Sequence, residues 1–121
     1  MKNKKITLAD IFLDILSKNE HEGTKLMAER VKAAIKSPEI SDLVNICVIN
    51  ALGYRYEIKI DTVNAAIDGI ISFVHSEIDN SSLSDDEKER EKASYTPYAK
   101  NLGELLKDYL RSTKQLSNNV S

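Results

Sequence analysis

Apolar residues recur at helical spacing along most of this chain, and the clearest run is residues 61–79. At about 100° per residue, Val63, Ala66, Ile67, Ile70, Ile71, Val74 and Ile78 fall on one side. Asn64, Asp68, Ser72, His75 and Asp79 fall on the other. The spacing predicts a long amphipathic helix, capped by Asp61, at the centre of the core.

The same reasoning gives the other elements. Thr7 caps a first helix, with Asp10 three residues on, where a carboxylate meets free N–H groups. Leu8, Ile11, Phe12, Ile15 and Leu16 form its apolar face, and residues 19–23 read as a turn. Thr24 caps a second helix with Met27, Val31, Ala34 and Ile35 inside and Lys25, Lys32 and Lys36 as an outer ridge. Pro38 suits the first position of a third helix.

Residues 44–60 carry two competing patterns. Ile40, Leu43, Val44, Cys47 and Ala51 share a helical stripe. That favours a helix to about Leu52, stopped at Gly53 and followed by an extended linker. The alternative is a hairpin turned at residues 50–53. Residues 44–49 are rich in β-branched side chains, and Tyr54, Tyr56, Ile58 and Ile60 alternate with Arg55, Glu57 and Lys59.

Ser84 opens a capping box, but residues 85–92 have almost no apolar face and predict a solvated, weakly held helix. Thr96-Pro97 restarts or kinks the chain. Tyr98, Leu102, Leu105, Leu106 and Tyr109 form the face of a last helix. Residues 112–121 read as a polar, disordered tail. The expectation is one all-α domain over residues 1–111, a bundle of five or six helices with a short extended or hairpin segment near residues 44–60.

Composition narrows the function classes only slightly. At 121 residues the chain can bury a core without metal or disulfide. A formal charge of -2 gives no general reason to bind nucleic acid. Cys47, the single cysteine, has apolar neighbours and reads as a core residue. The basic start at residues 1–5 resembles the beginning of a signal peptide. Asp10 and Asp14 fall where its apolar stretch would be, so a cytoplasmic protein with no membrane span is expected.

Candidate chemistry is sparse. His21-Glu22 begins like the zinc-protease signature, but Lys25 stands where the second histidine belongs. His75 and Asp79 lie one turn apart, and two ligands do not make a metal site. Ser72, His75 and Asp79 have the residue types of a triad, yet one straight helix does not supply its geometry. No catalytic residue, metal or cofactor is therefore expected.

Tyr54, Arg55 and Tyr56 carry the side chains enriched in binding hot spots and are the candidate partner-binding residues. The blander reading, which lays both rings over the bundle core, is the preferred one for these side chains. The sequence thus points to a non-enzymatic protein–protein interaction module, a small regulatory or accessory protein forming a weak homodimer. The first alternative is a DNA-binding regulator using Lys25, Lys32 and Lys36. The second is an enzyme whose site is shared between chains.

Overall fold

The computed structural model describes residues 5–117, and five α-helices carry most of them. Residues 1–4 of the basic start and residues 118–121 of the expected tail lie outside the described residues. In order, the elements are β1 (Ile6–Thr7), α1 (Leu8–Lys18), α2 (Lys25–Lys36), α3 (Pro38–Val44), β2 (Cys47–Ile49), β3 (Ile58–Lys59), α4 (Ile60–Asp79), α5 (Asp85–Ser112) and β4 (Leu116–Ser117). The architecture is the expected mostly-α bundle with a short hairpin.

Helix α4 lies at the centre and packs against α5, α3 and α2. Its apolar face buries Val63, Ala66, Ile67, Ile70, Val74 and Ile78, while Ile71 is half-buried. Two glycines let neighbours come close. A Cβ on Gly103 would stand 2.8 Å from Ile67 Cγ1, and one on Gly69 2.7 Å from Leu43 Cδ1. Helix α1 closes the core with Leu8, Phe12 and Leu16, all fully buried. It starts directly from β1. Thr7 is both a strand residue and the N-cap, its Oγ1 accepting from the Asp10 N–H while Asp10 accepts from the Thr7 N–H.

Two short pairings trim the bundle. β1 runs antiparallel to β2, with Ile6 opposite Ile49 and Thr7 opposite Cys47. β3 runs parallel to β4, with Ile58 opposite Leu116.

Several expectations are corrected. The third helix does not reach Leu52. It ends at Val44, and β2 follows, so the alternation pattern prevails over the helical stripe. The β-branched run finds strand partners on both sides: Leu8 N–H donates to Ile46 C=O, and Tyr56 N–H to Val48 C=O. Ala51, placed on the buried stripe by the helical reading, is exposed.

Thr24 precedes α2 without capping it. Its hydroxyl interacts with the His21 main chain and closes a 3-10 turn instead. Lys59, not Asp61, occupies the N-cap of α4, because the helix emerges from β3 two residues earlier; Asp61 sits in the first turn. Pro97 does not restart a helix. It lies inside α5, beyond the first turn. The residue whose carbonyl loses its partner there, Ala93, is exposed, so water can serve it.

Beyond α5, the described residues 113–117 turn back to the body of the fold. Gln115 N–H donates to Leu110 C=O and Ile58 N–H to Gln115 C=O. The Gln115 side chain is buried and donates to Val48 C=O at 3.3 Å.

Candidate functional site

The expected partner-binding residues lie on the turn that joins β2 to β3. Asn50 builds this turn. Its main-chain carbonyl accepts from Gly53 N–H, and its Oδ1 accepts from both Leu52 N–H and Tyr54 N–H at 3.0 Å. Gly53 takes φ +83°, a left-handed value that favours glycine. It serves a hairpin turn here, not a helix end. Ile49 and Arg55 then form an antiparallel bridge.

This arrangement turns large side chains to solvent. Leu52 is 80% exposed, Tyr54 66% and Tyr56 47%. The rings do not lie over the core. Tyr56 Oη accepts from Asn50 Nδ2 at 3.3 Å, which fixes its tip. Arg55 is tied down by its Nη1, which donates to Thr113 C=O at 2.9 Å, at the C-terminal end of α5. A guanidinium there also meets the negative end of the helix dipole. Ile46 and Ile49, the misfits of the helical stripe, are partly buried against the core.

The structure thus brings Tyr54, Arg55 and Tyr56 together with Leu52 and Asn50 in one braced turn. In the sequence the turn at residues 50–53 is only the alternative to a helix, and the role of Leu52 is not visible. Nothing in an isolated leucine announces that its side chain will point outward.

The lysine ridge is less uniform than its spacing implies. Lys25 and Lys36 are exposed, but Lys32 is half-buried and pairs with Glu20 at 2.9 Å. The hydrogen bond that Lys32 donates to Glu20 raises the Lys32 pKa above its ordinary value. One of the three charges is therefore neutralised locally, in the middle of the ridge.

The His75 face joins two helices. His75 Nε2 lies 2.9 Å from Thr96 Oγ1, and Thr96 in turn donates to Lys92 C=O. Asp79 pairs with Lys92 at 2.8 Å, and Glu89 pairs with the same ammonium at 3.2 Å. The bond from Lys92 holds the Asp79 carboxyl below its ordinary range. Asp79 and then Glu89 push Lys92 upward. These contacts lock α4 to the first half of α5. Ser72 is exposed and has no part in them.

Cys47 is half-buried, its thiol donating to Ile49 C=O at 3.3 Å. Among the described residues, no group of three or more His, Cys, Asp or Glu is placed to hold a metal ion. A shallow cleft of about 410 Å³ between α4 and α5 is lined by Ile67 and Gly103 together with the polar residues Asn64, Asp68, Lys100, Asn101, Glu104 and Lys107. Glu104 and Lys107, three residues apart on α5, pair at 3.1 Å along one side of it. Among the described residues, no helix is long and apolar enough to cross a membrane.

Comparison with protein-family models, with curated proteins and with solved structures finds no match.

Proposed function

We propose that this chain is a non-enzymatic protein–protein interaction module, a small regulatory or accessory protein that self-associates weakly through the turn at residues 50–56. One observation carries the reading: Leu52, Tyr54 and Tyr56 are exposed on a turn whose backbone is already held by Asn50. Exposed apolar side chains grouped in this way mark contact surfaces more often than they occur by chance. A turn fixed beforehand loses little entropy when it docks, and tyrosine contributes large contact area at low entropic cost. The single cysteine, which allows no intramolecular disulfide, supports a reducing, cytoplasmic setting.

Sedimentation of the full chain at micromolar to tens-of-micromolar concentration tests the proposal. The wild type should show a concentration-dependent dimer. The Leu52→Ser/Tyr54→Ser double variant should stay monomeric with little change in Tm, because both side chains are exposed. A wild type that is strictly monomeric over that range overturns self-association through this turn.

A further inference from the structure

The segment that leads from the turn into β3, bridged to β2 at Arg55, has two edges, and only one is used. Tyr56 N–H donates to Val48 C=O, and Ile58 N–H donates to Gln115 C=O. Main-chain groups alternate sides along a strand. Tyr56 and Ile58 therefore face β2 and β4, while Arg55 and Glu57 direct their N–H and C=O groups the other way. Among the described residues, no hydrogen bond is made by the main chain of Arg55 or Glu57. Residues 51–57 are all exposed, so nothing described covers this edge.

We propose that this edge pairs with the same edge of a second copy of the chain, antiparallel and centred on Tyr56, with Arg55 of each copy opposite Glu57 of the other. The proposal rests on the self-association reading above and gives it a register.

Charge selects that register. With Tyr56 on the two-fold axis, Arg55 and Glu57 of opposite copies exchange both of their main-chain hydrogen bonds, making four in all. Their side chains then stand on one face as two opposite-charge cross-strand pairs. Tyr56 meets its own copy on the other face. Sliding either way to the next register that keeps outward groups facing each other sets like against like. Arg55 meets Arg55, or Glu57 meets Glu57 with Arg55 opposite Lys59. A half-step slide faces an outward group with one already bonded to β2 or β4. Further sliding is limited because α4 begins at Ile60.

Edge strands are commonly protected from aggregation by charges. Here the signs alternate, Arg55, Glu57, Lys59, so the edge resists most foreign strands but fits itself in reverse. Three residues per copy make a short contact, consistent with a weak dimer in which Leu52 and Tyr54 flank the pairing.

A charge-swap mixture tests this. Arg55→Glu alone sets Glu opposite Glu57, and Glu57→Arg alone sets Arg opposite Arg55. Each should weaken self-association about tenfold or more in sedimentation equilibrium. Mixed in equal amounts, the two variants should recover dimer, because every cross-strand pair is then of opposite charge. Arg55→Glu also loses the bond to Thr113, but that loss cannot produce recovery on mixing.

A second measurement uses Tyr56→Cys in a Cys47→Ala background. Opposed residues of this kind lie about 4.5 Å apart at Cα, within disulfide range. Mild oxidation should give a covalent dimer, whereas Leu52→Cys, which the register sets opposite position 60, should not. If the wild type dimerises but the swaps change nothing and Tyr56→Cys does not cross-link, the register is wrong and self-association stands. If the wild type does not dimerise, both fall.

Discussion

Between Asp85 and Ser94, helix α5 buries no residue, whereas between Tyr95 and Leu110 it buries six. The backbone is helical throughout, so forming the helix and holding it are separate problems. The first half is specified locally. Ser84 accepts from Glu87 N–H and donates to its carboxylate, and three acidic residues in the first turn complement the helix dipole. It is held by polar contacts, chiefly Lys92 to Asp79 and Glu89. The second half has weaker local signals, including Pro97 and Gly103, but inserts Leu102, Leu106 and Leu110 into the core. Most helical stability in proteins comes from such packing.

The largest expected contrast comes from truncating each half. Leu106→Ala should cost about 2–5 kcal/mol, as a fully buried leucine. Glu91→Ala should change stability by no more than about 0.5 kcal/mol. Urea unfolding measures both, and amide exchange should be fast over residues 85–94 and slow over 99–110. Equal protection of the two halves would break the comparison.

Gly103→Ala gives a smaller effect and tests how the second half is seated. Alanine favours the helix by about 1 kcal/mol over glycine. The new methyl group would stand 2.8 Å from Ile67 Cγ1, a mid-chain atom that cannot swing aside, and overpacking of this kind costs about 1–3 kcal/mol. The clash should prevail, for a net loss of about 1 kcal/mol by urea unfolding. A gain in stability would mean that α4 and α5 can separate freely at this point.

The smallest effect belongs to the first half and depends on pH. Asp79 has its folded pKa lowered, mainly by the bond from Lys92. Its contribution is therefore present above the ordinary carboxylate value of 3.8 and is lost as pH falls through the lower folded value. Asp79→Asn should have a lower urea midpoint than the wild type near pH 7, and the gap should close in acid. A gap that persists at pH 2 would assign the effect to something other than this pair.

Legibility in the sequence followed the same division. The faces of α1, α2 and α4 were readable because each buries a stripe set by its own spacing. The end of α3 was not, because Cys47 and Ala51 fit a helical stripe as well as Val48 and Ile49 fit a strand. The choice was made by β1, 40 residues earlier in the chain. The burial of Gln115 leaves no mark in the sequence, because a polar residue is buried only when it finds a partner. Its partner, Val48 C=O, is 67 residues away. At the candidate site, Tyr54 and Tyr56 were visible as residue types. Their exposure, and the anchoring of Arg55 to Thr113, depended on contacts with distant parts of the chain.

The junctions described earlier have a mechanical consequence. β1 passes into α1, and β3 into α4, with no intervening residue. Hinges are built from loop or element-end residues that absorb changes in φ and ψ, and the Thr7 junction is further clamped by its reciprocal bonds to Asp10. The β3 strand runs into α4 without such a clamp, but also without a loop between them. Residues 55–57 are therefore joined to the helix at the centre of the core by only two residues of strand, too short a span to be a slack tether.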